Sequence, residues 1–166
     1  NTIADGAGFT ADFSTLDITA NTTVTLDAAR TSGHLVFGDT DTGTVGDWII
    51  DTGTGGPLTL AGTAPTITVN PLGSKRVDIA AQLTGTDGFT KDGEGVLRLI
   101  NGSSNISGPV VVSAGNLLLP VTALSSATTV AINGGSLISA TGAANAIGGT
   151  IAVGGGTLQY NNDPGT

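Results

Sequence analysis

The sequence predicts an all-β protein, a parallel β-helix (β-solenoid) with coils of about 20 residues, and two observations carry that expectation. The first is a phrase written three times, VVVSAGNL at 110–117, VAINGGSL at 130–137 and IAVGGGTL at 151–158. The second is an unbroken succession of short alternating apolar pairs, the period-two signature of half-buried strands. In order, these are Leu16/Ile18, Val24/Leu26, Leu35/Phe37, Trp48/Ile50, Leu58/Leu60, Ile67/Val69 and Val77/Ile79. Phe89 then stands alone, followed by Leu97/Leu99, Val110/Val112, Leu117/Leu119, Val130/Ile132, Leu137, Ile151/Val153 and Leu158/Tyr160. Gly, Asn, Asp, Thr and Ser clusters separate them and supply turn chemistry.

Every second pair forms a series. One runs Leu35, Leu58, Val77, Leu97, Leu117, Leu137 and Leu158, and the other runs Trp48, Ile67, Phe89, Val110, Val130 and Ile151. Both advance by 19 to 23 residues at each step. A fixed period of that size is the mark of stacked units, none of which buries its apolar face alone. Within the phrase, Gly115, Gly135 and Gly156 recur at one corner, where positive φ or close approach of neighbouring coils favours glycine. A β-sandwich also offers many short strands and is the alternative, but it does not require one phrase at a constant offset. The whole chain reads as one module, 1–166. Residues 1–33 form a less regular opening coil or cap, 35–160 the stacked coils, and 161–166 a linker or junction.

Composition narrows the function classes. The chain has 166 residues, 27 of them Gly, with 11% charged residues, 4% aromatics and neither Cys nor Met. Thirteen acidic against five basic residues give a net charge of −8. No basic patch is available to replace phosphate counterions, which argues against nucleic acid and anionic membrane surfaces as partners. The longest apolar stretch, GPVVVSAGNLLLPV (108–121), is broken by Gly and Pro and falls short of the ~20 residues of a membrane span. Without cysteine there is no disulfide framework and no thiol chemistry. The chain begins at Asn1 without a signal peptide, so the expectation is a mature product or a piece of a longer polypeptide.

Residues 85–119, GTDGFTKDGEGVLRLINGSSNISGPVVVSAGNLLL, resemble the autotransporter-associated β-strand repeat of bacterial secreted proteins. Gly88, Lys91, Gly93, Gly95, Leu97 and Leu99 match the first half of that pattern. Gly108, Val110, Val112, Gly115 and Leu117 match the second. Phe89, Val96 and Pro109 depart from it. The resemblance implies a right-handed β-helical passenger region, secreted or displayed on a bacterial surface, and it brings no catalytic residues.

The chemistry-bearing residues are few. His34 is the only histidine, which excludes a multi-histidine metal site within one chain, and no nucleophile-elbow sequence supports a Ser-His-Asp triad. Asp39, Asp41, Asp47 and Asp51 cluster around DTDTGTVGDW and could offer hard oxygen ligands to calcium. Against this, Gly43 replaces an expected ligand and Ile50 stands where a bidentate Glu would be, so a solvated acidic turn is the plainer reading. Trp48 occupies an apolar ladder position and reads as core. Lys91, Asp92 and Glu94 read as a charge cluster between strand and turn, with a Lys–Asn isopeptide crosslink as an unspecified alternative. The glycines of GTGGP (53–57) lack the Gly-Lys-Ser/Thr ending of a phosphate loop and are turns.

These observations lead to an expectation of a non-catalytic module with no catalytic, metal or cofactor-binding residues. It would serve as stalk, spacer or fibre segment of a bacterial extracellular protein. Its partners would be neighbouring repeats of the same polypeptide or identical subunits stacked end to end. The alternative is an adhesin-type module recognising a glycan or protein through exposed Thr-rich strands such as PTITVN and ANTTVT. A polysaccharide-degrading β-helix is the remaining reading, and it needs a carboxylate pair beside a sugar-stacking cleft.

Overall fold

Three parallel sheets wind around one apolar axis in about seven turns, at an average of about 21 residues per coil. The computed structural model describes residues 4–140 and 147–161, and among these there is no helix. The first coil holds β1 (Thr10–Asp12), β2 (Thr22–Thr25) and β3 (Arg30–Ser32). The second holds β4 (His34–Phe37), β5 (Trp48–Asp51) and β6 (Leu58–Leu60), and the third holds β7 (Thr66–Val69), β8 (Arg76–Ile79) and β9 (Leu83–Gly85). The fourth is β10 (Phe89–Asp92), β11 (Val96–Leu99) and β12 (Asn105–Ile106). Thereafter each coil has two named strands. These are β13 (Val110–Val112) with β14 (Asn116–Leu119), β15 (Thr129–Ile132) with β16 (Ser136–Ala140), and β17 (Thr150–Val153) with β18 (Thr157–Asn161).

The first strand of every coil joins sheet A, the second sheet B, and the third strands of the first four coils form sheet C. Beyond β12, among the described residues, the third side survives as a single bridge, Leu124 to Ile147. Every ladder is parallel and in register, as stacking of equivalent segments requires. In sheet B, Val77, Leu97, Leu117, Leu137 and Leu158 fall on one line, rung upon rung. Parallel strands need crossover connections, and here each crossover is the rest of a coil. The result is a core of stacked aliphatics about 4.8 Å apart, with Val77, Leu97, Leu117 and Leu137 all inaccessible to solvent.

The period is less constant than the sequence suggests, and three assignments change. Leu35 pairs with Ile67 in sheet A, and Trp48 pairs with Val77 in sheet B, so each belongs to the other series. Leu58 lies in neither, but in sheet C opposite Leu83. The cause is the corner between sheets A and B. It takes nine residues in the first coil (13–21), ten in the second (38–47), six in the third (70–75) and three in every later coil. Only from β10 and β8 onward does a twenty-residue step hold. The segment before Leu35 makes a complete first coil, and of the 161–166 junction only Asn161 is described, closing β18.

The long corners exist because they have large side chains to enclose. Phe13 stacks on Phe37 with ring centroids 5.2 Å apart, and Trp48 tilts against both at 5.5 and 6.2 Å. The Trp48 indole N–H donates to the Gly38 carbonyl at 2.9 Å, so a buried polar atom is satisfied. In the third coil Val69 and Leu72 occupy the same region. From the fourth coil on, glycines pull the corner tight.

Candidate functional site

The repeated phrase is a corner of this rod. Two aliphatics of β13 point inward, Ser113–Gly115 turns, and Leu117 and Leu119 of β14 continue the core. Gly115 has φ of +61°, a conformation that costs a side-chain-bearing residue about 1 kcal/mol or more. Gly95, Gly115, Gly135 and Gly156 stack at this corner. A Cβ on Gly135 would lie 2.5 Å from the Gly115 carbonyl oxygen, and one on Gly95 would lie 2.5 Å from that of Asn70. Close approach of successive coils therefore fixes the glycine, as the phrase suggests.

Lys91 lies one coil before the first copy of the phrase and does not stand in a surface charge cluster. Asp92 and Glu94 are exposed, but Lys91 is fully buried. It sits on the one sheet A ladder that runs from Leu35 through Ile67, Lys91, Val112 and Ile132 to Val153. Its Nζ donates to three main-chain carbonyls, Asp92 at 2.8 Å, Gly93 at 2.7 Å and Ala114 at 3.1 Å. The ammonium has three protons, and each has an acceptor. Two carbonyls belong to its own corner and the third to the next coil, so the side chain clasps the first tight corner onto the second. Burial pushes its pKa down to about 8, against the pull of the Asp92 and Glu94 carboxylates. No asparagine side chain is among its hydrogen-bond partners.

The acidic corner is used for turn and inter-coil hydrogen bonds. Asp39 Oδ1 accepts from the Asp41 amide at 3.0 Å, and Asp41 Oδ1 from the Gly43 amide at 2.9 Å. Asp47 Oδ1 accepts from the Arg76 amide of the next coil at 3.0 Å, while Asp51 is exposed at the end of β5. Asp39 Oδ2 is buried without a partner, yet no group of three Asp, Glu or His converges anywhere among the described residues. His34 lies on the outer side of sheet A, half-buried, with Nδ1 2.9 Å from the Thr66 hydroxyl.

One arrangement had no counterpart in the sequence reading. Asp78, on the outer face of β8, is only 7% exposed and accepts from Arg76 Nε at 3.1 Å and Arg98 Nε at 2.8 Å. Arg98 is its direct rung partner. The twenty-residue offset between them was available as a signal, because that offset makes two residues neighbours across the stack. The triad neutralises a carboxylate on the outer face of sheet B.

The remaining features are the two ends. At the amino-terminal end, residues 4–9 already lie along the third side. The Gly6 amide donates to the Thr31 carbonyl, the Thr31 amide donates to Asp5, and the Gly33 amide donates to the Phe9 carbonyl. Arg30 bridges Asp5 and Asp27, and their pKa values fall below the ordinary carboxylate value. For Asp5 the main cause is the Thr31 amide, and for Asp27 it is the Arg30 guanidinium. Beside this rim β1 and β2 are paired on one side only, and a hollow of about 600 Å³ opens among Phe13, Val24, Leu26, Leu35, Ile50 and Leu58. At the other end Ile151, Val153 and Leu158 hold interior ladder positions but are 37%, 54% and 45% exposed.

Comparison with family models, with curated proteins and with solved structures finds no match to this chain.

Proposed function

We propose that the chain is a structural, non-catalytic solenoid module of a bacterial extracellular or surface protein, acting as stalk, spacer or fibre segment. The observation that carries this is the state of the last coil. Ile151, Val153 and Leu158 continue ladders that are buried through the middle of the rod, and a further coil on top would bury them. Open sheet edges at both ends have the same need. A module whose unsatisfied surface lies at its two ends is suited to lengthening a structure. The neighbouring coils come from the same polypeptide or from identical subunits stacked head to tail. The resemblance of residues 85–119 to the autotransporter-associated repeat supports the bacterial surface assignment.

Protease shaving of intact cells of the source organism tests the location. Peptides of this chain should be released while cytosolic markers stay inside, and retention of both places the protein elsewhere. The alternative reading, an adhesin-type binding module, is favoured by one feature. On sheet C the hydroxyls of Thr59 and Thr84 meet at 2.9 Å, beside a shallow groove of about 310 Å³ that Thr86, Asn105 and Ser107 also line. Hydroxyls and a carboxamide suit a sugar's hydrogen-bonding groups. Glycan-array binding that is lost in Thr84→Val and Asn105→Ala variants would favour this reading over a plain spacer.

A further inference from the structure

We propose that the amino-terminal end of the rod is built to receive two strands of a wide coil, joined by a corner of nine or ten residues, and not the carboxy-terminal coil of a second copy. This rests on reading the chain as a solenoid continued beyond its ends.

Residues 4–9 hydrogen-bond along the third side above β3, whereas β1 and β2 have no strand above them. The missing part of that coil is its sheet A strand, its sheet B strand and the corner between them. The width of that corner is set by what it must cover. Corner 13–21 stacks on corner 38–47 through the Thr40 amide to the Leu16 carbonyl and the Asp47 amide to Asn21 Oδ1. On its open side a second hollow runs among Phe13, Leu16, Ile18, Val24 and Trp48, with Leu16 itself 49% exposed. Within the rod the lengths of stacked corners differ by one residue (13–21 and 38–47), four (38–47 and 70–75) and three (70–75 and 93–95), whereas a three-residue corner set on 13–21 would fall six short.

The carboxy-terminal coil has the wrong width. β17 and β18 are joined by Gly154–Gly156, a three-residue corner tight enough that a Cβ on Gly155 would lie 2.7 Å from the Asn133 carbonyl oxygen. Set on β1 and β2 of another copy, it would cover the strands and leave exposed Leu16 and half-buried Phe13 uncovered. Along the chain, corner length falls from nine and ten to six and then three. The rod therefore has a wide end and a narrow end, and continuation at the wide end calls for a coil with bulky apolar side chains over Phe13. Such a molecule serves as a reducer between two gauges of solenoid.

The chain has no cysteine, so single thiols report cleanly. In a Leu16→Cys variant, a copy of residues 34–56 placed ahead of Asn1 supplies a wide coil, and a copy of 129–140 supplies a narrow one. The wide extension should slow maleimide labelling of that thiol by about tenfold or more and raise Tm, while the narrow one leaves labelling within about twofold. Equal protection by the narrow extension overturns the inference but leaves solenoid continuation standing. Protection and stabilisation by neither overturns both. A second arm needs no extension. Thr23 and Gln159 lie at opposite ends of one outward ladder of sheet B. In a head-to-tail stack of copies they would become rung partners. A Thr23→Cys/Gln159→Cys chain oxidised at high concentration should give no species larger than the dimers formed by the Thr23→Cys and Gln159→Cys single variants on a non-reducing gel. A ladder of disulfide-linked multimers would put a second copy in the site and overturn the proposal.

Discussion

At the residue scale, Lys91 shows how a charge can serve a core. Its aliphatic stem continues the ladder between Ile67 and Val112, and its ammonium joins three carbonyls across two coils. Lys91→Ala removes both stem and donors and should cost about 2–4 kcal/mol in chemical denaturation, from cavity plus unsatisfied acceptors. Lys91→Met restores the volume without the donors and should lose less than the alanine variant. If alanine costs nothing measurable, the clasp does not exist. The pH dependence has a definite sign. With a folded pKa of about 8 against 10.5 for the free side chain, the folded state releases its proton first. The unfavourable charge is fully felt below pH 8 and is gone above 10.5, so stability rises with pH between them. One pKa unit corresponds to about 1.4 kcal/mol, which bounds the rise at about 3 kcal/mol. The difference in unfolding free energy between wild type and Lys91→Met, followed from pH 7.5 to 10.5, should therefore move in favour of wild type. A flat difference would contradict it. In the acidic corner Asp39 and Asp41 close turns, and Asp47 ties the corner to the next coil. Lys91 was not legible because a lysine beside Asp92 and Glu94 looks solvated until register places it above Ile67.

At the element scale, the corner and the ladder account for the repeat. Gly135→Ala would push a methyl to 2.5 Å from the Gly115 carbonyl oxygen, and backbone cannot retreat cheaply in a stack. A loss of about 1–3 kcal/mol is expected, comparable to overpacking of a core. Ladder position should also grade the cost of one substitution. Leu117→Ala, in the middle of the rod, should lose about 2–5 kcal/mol. Leu158→Ala, on the same ladder but 45% exposed, should lose less than about 1 kcal/mol. Equal losses at both positions would mean that the last coil is already covered. The strands were readable from period-two alternation, and the turns from glycine and polar clusters. The third sheet was not. Its strands run only two to three residues, and β12 carries a single buried aliphatic, Ile106, which gives alternation nothing to show. The swapped membership of Leu35 and Trp48 has a similar origin. Apolar spacing counts residues, and a ten-residue corner adds residues without adding a rung.

At the scale of the whole molecule, the exposed large apolar side chains lie at the two ends, and that placement sets the behaviour of the isolated chain. Replacing Ile151, Val153 and Leu158 together by threonine should leave Tm almost unchanged and reduce concentration-dependent association in light scattering. The same triple change one coil inward, at Val130, Ile132 and Leu137, should unfold the carboxy-terminal part. Association that persists unchanged would move the adhesive surface away from the end. The fold class was legible because a solenoid writes its architecture into its period, while the function was not, because stacking residues carry no record of a partner.

Equivalent segments stack along one axis, and a single distance tests this. Thr23 and Gln159 are six rungs apart on one ladder of sheet B. At about 4.8 Å per rung, spin labels at these two positions should show one separation centred near 29 Å in a double electron–electron resonance experiment. A centre below about 20 Å, or a broad spread without a dominant separation, would contradict a stacked parallel rod.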